Sequence, residues 1–177
     1  MDFQRITQPH PDLNTIRVWY ETAFPAHERR TFDGLLELLP CPDMHLCALV
    51  ADAKWVGFII YWQWPDVSTL FIEHIAIDPQ QRNKQFGQQV IQQILQLDFT
   101  HFLLEAECPT DAISERRIGF YERQGFSLNL FAYAQPPYQR GKPDIPMKLM
   151  SIPALEQQKE FDEFSKLIKE RVYERFY

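Results

Sequence analysis

The chain lacks the features that mark membrane-bound and secreted proteins. No apolar run approaches the roughly 18 residues needed to cross a bilayer. The first ten residues, MDFQRITQPH, do not contain the apolar core of a signal peptide. The three cysteines are an odd number without a CxxC pair, which indicates reduced thiols rather than a disulfide framework or a zinc site. We therefore expect a cytoplasmic protein with no metal and no membrane partner.

Clustered positive charge and nucleotide-binding motifs are also missing. The formal net charge is −6 and the pI is about 5.4, whereas broad nucleic-acid surfaces and anionic-membrane surfaces require positive charge. Neither GxGxxG nor GxxxxGK followed by Ser or Thr occurs, which argues against a dinucleotide or nucleoside-triphosphate site. We expect no nucleic-acid partner, and any anion site in this chain has to be local.

The composition and the hydrophobic periodicity predict one α/β domain over residues 1–177. A hydrophobic fraction of 45% in 177 residues is enough for a sizeable core. The patterns predict an α/β (α+β mixed) fold with a mixed sheet flanked by helices. The expected strands are 3–7, 44–51, 55–64, 69–77, 100–107, 126–133 and 145–150, with 44–51 and 55–64 joined as a hairpin. The expected helices are 11–24 with Pro11 in its first turn, 27–39, 86–97, 114–124 capped by Ser114 and followed by a left-handed Gly125, and a long C-terminal helix within 153–177.

The stretch from residue 69 to residue 97 is the centre of this arrangement. Residues 69–77 are nearly all apolar, as in a strand covered on both faces, and Asp78-Pro79 ends the strand. A basic, polar turn follows and leads directly into an amphipathic helix. A strand, a short turn and a helix N-terminus bring free N–H groups and a positive dipole end together. This stretch therefore predicts an anion site.

Two motifs give the chain a resemblance to a known family. The turn from Arg82 to Gly87 reads RNKQFG and resembles the Arg/Gln-x-x-Gly-x-Gly/Ala pattern of the GNAT superfamily of N-acetyltransferases, with Gln85 replacing the first glycine. Residues 119–126, GFYERQGF, resemble that family's FYxxxGF signature with no change in its key residues. The similarity spans roughly residues 44–150 and implies a GNAT-like acyl-CoA N-acyltransferase fold.

The resemblance implies acetyl-CoA as the cosubstrate. Its pantetheine arm is expected along the backbone of Ile75, Ala76 and Ile77, which needs free strand-edge groups. Its pyrophosphate is expected on the turn and the helix start, at Arg82, Asn83, Lys84, Gln85, Phe86, Gly87 and Gln88. Arg82 and Lys84 supply charge and donors there. Two conformations stay open for Gln85: a positive φ, which strains a residue with a side chain, or a turn that is already helical at this point.

Acetyl transfer to an amine needs a group that accepts a proton, directly or through water, because alkylammonium groups titrate near pH 10. Glu73 lies two residues before the expected pantetheine segment and is our candidate for this base or for an anchor of the substrate ammonium. The alternative is a buried carboxylate satisfied by an arginine. Strand alternation directs His74 to the opposite face, so His74 is the second choice.

Tyr121 of the FYxxxGF segment is the candidate proton donor, because the resemblance places the family's general acid there. A phenol near pKa 10 stays protonated while a coenzyme A thiol titrates near 8.5. Complete transfer would be uphill by about 2 kcal/mol, so the phenol mainly donates a hydrogen bond to the departing sulfur. The alternative is an ordinary core aromatic residue.

Three residues are candidates for the acceptor site. Glu105 shares a strand face with Glu107, and either carboxylate can bind a cationic acceptor or pair with arginines of the next helix. Arg30 falls where the family's acceptor-lining helices lie and can bind a carboxylate, or it is part of a solvated helix start. Tyr138 can contact the acceptor from the opposite wall, or it belongs to a proline-stiffened surface turn.

These observations predict an N-acetyltransferase that transfers an acetyl group from acetyl-CoA to a primary amine of a small molecule, protein or peptide, by direct transfer in a ternary complex. The alternative is a non-catalytic acyl-CoA-binding sensor or a partner-binding protein, which the Gln85 departure and the open choice of base motivate. The C-terminal helix packs either on the domain or on a second subunit, so a homodimer is one expectation.

Overall fold

A computed structural model describes residues 1–10 and 12–176 of the chain. The helical turn expected at Pro11 lies outside the described residues. The chain divides into two compact units, one of residues 1–64 and 72–98 and one of residues 65–71 and 99 onward. Strand β4, Thr69–Ile77, contributes to both units and has the predicted bounds. The expectation of a single domain stays a prediction, and each unit is described by itself.

The first unit contains the strands β1 Asp2–Ile6, β2 Met44–Ala51 and β3 Lys54–Trp64, which lie in the sheet order β1-β2-β3-β4, and three α-helices among its described residues. Strands β1 and β2 are antiparallel, as are β2 and β3. The β2–β3 hairpin was predicted and is confirmed, and its turn residues Asp52 and Ala53 both have positive φ, which matches the right-handed twist of the strands. The α-helices are α1 Leu13–Ala23, α2 Phe32–Glu37 and α3 Phe86–Ile94.

Helix α2 begins five residues later than predicted. Thr31 caps the helix by accepting a hydrogen bond from the Gly34 N–H at 3.1 Å. The preceding residues are not helical because other groups bind them: the Arg30 N–H donates to the Tyr20 hydroxyl at 3.0 Å, and Arg29 Nε donates to the Phe24 carbonyl at 3.0 Å. Arg30 therefore lies in a loop that is fastened to helix α1.

The turn between β4 and α3 has a left-handed backbone at two residues. Asn83 has φ +67° and Gln85, the N-cap of α3, has φ +59° and ψ +16°. The first of the two conformations left open for Gln85 is the observed one. A left-handed conformation costs a residue with a Cβ about 1–2 kcal/mol relative to the right-handed one. The turn is held in this shape by its surroundings and not by the preference of Gln85.

The second unit contains β5 His101–Glu107, α4 Ala112–Arg123, β6 Ser127–Leu128, β7 Tyr133–Gln135, β8 Ile145–Ile152 and α5 Gln158–Ile168. Strand β8 pairs antiparallel with β5, β6 and β7. A π-helical turn, Lys169–Tyr173, and a 3-10 turn, Glu174–Phe176, continue from α5. No helix in the described part of the chain is both long and apolar enough to span a membrane.

The strand predicted at 126–133 and the helix predicted within 153–177 differ from the structure. The strand is interrupted because the buried Asn129 donates to the Leu149 carbonyl at 2.9 Å and to Ser151 Oγ at 3.0 Å. Asn129 also accepts a hydrogen bond from the Leu155 N–H at 3.0 Å, and helix α5 begins only at Gln158. A single buried amide thus ties three segments together and shortens two predicted elements.

Both ends of helix α4 are fixed by local hydrogen bonds. Asp111, and not Ser114 as predicted, is the N-cap, while Ser114 occupies the third helical position of a capping box. At the other end Gly125 has φ +98°, as predicted. The Phe126 N–H donates to the Tyr121 carbonyl at 3.1 Å and the Gly125 N–H to the Glu122 carbonyl at 2.9 Å, which is a Schellman motif. The FYxxxGF segment is therefore a helix end that fixes the position of Tyr121.

Replacing Gln85 with glycine is expected to stabilise the protein by about 1 kcal/mol, because glycine adopts a positive φ without the Cβ penalty. For a chain of this size the melting temperature then rises by about 2–4 °C. Gln92→Gly, inside the same helix, is the control and is expected to destabilise by about 1 kcal/mol. Thermal unfolding of both variants checks this, and a loss of stability in Gln85→Gly would contradict the observed backbone conformation.

Candidate active site

Glu73 of β4 lies in a buried polar cluster within the first unit. Its side chain is 1% exposed, and Trp62 Nε1 of β3 donates to Glu73 Oε2 at 2.6 Å. Arg30 Nε, from the loop before α2, is 3.6 Å from Glu73 Oε1, and the Arg30 side chain is only 7% exposed. A buried carboxylate survives when an opposite charge and a donor accompany it. The structure brings Arg30 and Glu73 together in this way.

His74, the next residue of β4, packs among the early helical residues. Its ring lies 4.3 Å from the ring of Phe24 and 5.2 Å from that of Tyr20, both nearly edge-on. His74 Nε2 is 3.1 Å from the Glu28 carbonyl oxygen, which can only accept, so Nε2 carries a hydrogen. Burial lowers the pKa of His74, although the nearby Glu73 opposes this shift. His74 is therefore a mainly neutral, hydrogen-bonded residue.

The second half of β4 is accessible, in contrast to its first half. Residues 69–72 are buried, whereas Glu73 and residues 75–77 are half-exposed. Because the side chain of Glu73 is 1% exposed, the exposed surface of this residue belongs to its main chain. An extended, amide-containing ligand requires accessible backbone groups on a strand. The half-exposed residues Ile75, Ala76 and Ile77 are the ones at which the pantetheine arm is expected.

The turn after β4 exposes charge and hydrogen-bond donors. Its residues Arg82, Asn83, Lys84 and Gln85 are all exposed. The first helical hydrogen bond of α3 runs from the Gln89 N–H to the Gln85 carbonyl at 3.1 Å. The N–H groups of the first turn, at Phe86, Gly87 and Gln88, precede it, and helices leave such donors without an intrahelical partner. The turn fits an anionic group such as a pyrophosphate.

Tyr121 lies near the end of α4 in the second unit and is 8% exposed. The centroid of its ring lies 5.2 Å from that of Phe120 and 6.1 Å from that of Phe126. Burial raises the pKa of Tyr121 to about 12, and the charge of Arg117 only partly opposes this. The difference from a thiol near 8.5 corresponds to about 5 kcal/mol, which is more than the sequence suggested. The phenol is therefore a persistent hydrogen-bond donor.

Glu105 of β5 is bound by two tyrosine hydroxyls within the second unit. Glu105 Oε1 accepts a hydrogen bond from Tyr133 of β7, and Oε2 accepts one from Tyr173 of the π-helical turn at 2.6 Å. Burial and the charge of Glu105 raise the pKa of Tyr133 well above 10, so this phenol stays a donor. An arginine partner was an alternative for both strand carboxylates, and Glu107 has one, with Oε2 2.8 Å from Arg117 Nη1.

Tyr138 and the C-terminal segment meet at the same place. The Tyr138 ring is half-buried and lies 4.9 Å from the ring of Tyr173, which is fully buried. Pro136 and Pro137 are buried as well, so this loop is not a plain surface turn. The structure thus places two predicted acceptor residues, Glu105 and Tyr138, against Tyr173.

Trp62 and Tyr173 were not identified from the sequence. A carboxylate expected inside a sheet implies a donor on a neighbouring strand, and this signal points to Trp62 once the alignment of β3 with β4 is known. No comparable signal exists for Tyr173, since its partner is 68 residues away in the chain. Among residues 1–10 and 12–176, no group of three His, Cys, Asp or Glu side chains is arranged to hold a metal ion.

Comparisons with solved structures agree with this fold. A protein described as belonging to the GNAT family of acetyltransferases, from Bacteroides thetaiotaomicron, is 29% identical with a TM-score of 0.86, and 98% of each chain is covered. A variant of spermidine N-acetyltransferase from Vibrio cholerae is 15% identical with a TM-score of 0.65, covering 93% of this chain and 99% of its own. The second likeness concerns the fold alone. The predicted mixed α/β, GNAT-like fold class is confirmed.

Sequence comparison gives the same family. No curated protein sequence matches the chain. The sequence profile described as "Acetyltransferase (GNAT) family" matches residues 13–126, which is more than half of the chain and includes the β4–α3 turn and the FYxxxGF segment. The predicted resemblance is confirmed, and the chain belongs to the GNAT family of acetyltransferases.

Proposed function

We propose that this protein is an N-acetyltransferase that transfers an acetyl group from acetyl-CoA to a primary amine of a small molecule, protein or peptide. Membership of the family supports acyl transfer in general. The observation that supports the proposal most strongly is the following. The half-exposed end of β4, residues 75–77, is followed by an exposed turn that is rich in hydrogen-bond donors and leads into α3. The Vibrio cholerae neighbour, named for acting on spermidine, supports an amine as the acceptor.

The cosubstrate site is formed mainly by backbone groups. Acetyl-CoA supplies an activated thioester to the reaction. Arg82, Lys84 and the N-terminal donors of α3 bind its pyrophosphate, because a helix N-terminus and cationic side chains both favour an anion. The main chain of Ile75, Ala76 and Ile77 binds and aligns the pantetheine arm.

Tyr121 donates a hydrogen bond to the sulfur as negative charge develops on it. Because the pKa of this phenol is about 12, the proton stays largely on the Tyr121 oxygen during the transfer. Stabilising the developing charge is still effective in a buried site, where hydrogen bonds are stronger than in water. The Schellman motif at Gly125 fixes the orientation of this donor.

Glu73 acts on the acceptor amine, either as the base that receives its proton through water or as the anchor of its ammonium group. Trp62 and Arg30 hold the carboxylate in one orientation and balance its burial. Since the Arg30 side chain is 7% exposed and lies against Glu73, we propose that Arg30 contributes to acceptor binding through Glu73. His74 stays the second choice as base.

Glu105 and Tyr138 contribute to binding a cationic acceptor. Two phenol hydroxyls donate to the Glu105 carboxylate and hold it in one orientation. Tyr138 lies against Tyr173 of the same cluster. A carboxylate at this position favours an acceptor that carries a second positive charge.

Transfer proceeds directly in a ternary complex, without an acetylated protein side chain. The three cysteines are free thiols, which supports a reducing, cytoplasmic location. A homodimer is retained as part of the proposal, and the Vibrio cholerae neighbours include one described as dodecameric.

A thiol-release assay tests the proposed activity. The protein is mixed with acetyl-CoA and a panel of monoamines, polyamines and lysine-containing peptides, and free coenzyme A is measured. We expect turnover above background with at least one amine, and faster turnover with acceptors that carry a second cation. Tight binding of acetyl-CoA with no turnover for any amine would instead support the alternative of a non-catalytic acyl-CoA-binding sensor or partner-binding protein, which the uncommon Gln85 motivates.

Tyr121→Phe is expected to lower kcat by about 100-fold, because it removes the hydrogen-bond donor to the leaving sulfur and keeps the ring. The Kd of coenzyme A should change less than about twofold, as measured by calorimetry. Tyr61→Phe is the matched control, since it removes another buried phenol hydroxyl and should leave kcat unchanged. Equal turnover in Tyr121→Phe and wild type would remove Tyr121 from the mechanism.

A further inference from the structure

Gly57 lies near the start of β3, where the strand comes unusually close to β4. It is buried, and its register partner in β2 is Leu49, next to an irregularity in the β2–β3 pairing between Leu49 and Val50. On the other side, the Asp78 N–H donates to the Val56 carbonyl at 2.8 Å. Gly57 therefore faces the end of β4 that precedes the proposed pyrophosphate turn.

A side chain at position 57 would collide with the main chain of β4. A Cβ built on Gly57 would lie 2.3 Å from the Ala76 carbonyl oxygen, 3.0 Å from Ile77 Cα and 3.2 Å from the Ala76 carbonyl carbon. All three atoms are backbone atoms, so no side-chain rotation relieves the contact. Only glycine allows this approach of the two strands.

The contact occurs at the residues that are proposed to bind the pantetheine arm. Restoring an ordinary carbon–oxygen contact would move the Ala76 carbonyl by about 1 Å. Hydrogen bonds with heavy-atom distances near 2.9 Å do not survive a displacement of this size. The exact path of the main chain at residues 76–77 thus depends on the missing side chain at position 57.

We propose that Gly57 is a positioning residue for the cosubstrate, because it sets the path of the Ala76–Ile77 main chain that binds the pantetheine arm. The inference rests on the proposed function and adds a residue on a neighbouring strand that does not itself touch the ligand. It also predicts which part of coenzyme A is affected. The Arg82–Gly87 turn, which binds the pyrophosphate, does not contact Gly57 in the clash described above.

Gly57→Ala tests the proposal by calorimetry with two probes. Coenzyme A contains the pantetheine arm, whereas 3′-phospho-ADP contains only the nucleotide and the pyrophosphate. In Gly57→Ala the Kd of coenzyme A is expected to rise at least about tenfold, while the Kd of 3′-phospho-ADP stays within about twofold of wild type. Gly119→Ala is the matched control, because its Cβ would meet only the end of the flexible Arg123 side chain at 3.4 Å.

A second variant separates folding from binding. In Gly57→Ala with Ala76→Gly, the more permissive residue 76 lets the carbonyl rotate away, so circular dichroism should show a folded protein while coenzyme A still binds weakly. Unchanged coenzyme A affinity in either folded variant, equal weakening of both probes, or loss of folding in both variants would overturn the proposal. If wild type does not bind coenzyme A, the proposed function itself fails, which is a distinct result.

Discussion

The buried pair of Glu73 and Arg30 is the interaction on which the proposed site depends. Neither charge is stable in the interior alone, because an isolated buried ion costs several kcal/mol. Arg30 lies next to Glu73 in a loop whose main chain donates a hydrogen bond to the Tyr20 hydroxyl, and Trp62 of β3 donates a further hydrogen bond to Glu73. The pair therefore couples the α1–α2 region to strand β4, and it fixes the carboxylate that is proposed to receive the acceptor amine.

The rest of the proposed cosubstrate site is made of backbone conformation. Asn83 and Gln85 have left-handed φ values in the turn. Gly57 lets the Ala76 carbonyl come closer to β3 than a residue with a Cβ would allow. Conformations of this kind cost free energy and persist where the surrounding structure enforces them. At position 85 the glutamine supplies the same main-chain groups as the glycine of the family pattern, at the cost of a left-handed backbone that glycine adopts more readily.

The sequence predicted the elements whose shape depends on neighbouring residues along the chain. The bounds of β4, the β2–β3 hairpin and the left-handed Gly125 follow from apolar runs and turn chemistry, and the family follows from two short motifs. Long-range hydrogen bonds explain the misses: Tyr20 and Phe24 keep residues 27–31 out of a helix, and Asn129 breaks a predicted strand. The donors of Glu73 and Glu105 could not be predicted for the same reason, since Trp62 and Tyr173 meet them only through the tertiary fold.

Glu73 is proposed to act on the acceptor amine, beyond its structural pairing with Arg30. The turnover of Glu73→Gln, alone and combined with Arg30→Met, distinguishes these two roles. The single variant should lose about 3–5 kcal/mol of stability because Arg30 loses the buried carboxylate beside it, and the double variant should regain much of it. If Glu73 acts on the amine, kcat/KM for the amine is expected to stay at least about 100-fold below wild type in both variants. Recovery of near wild-type turnover in the double variant would contradict this role of Glu73.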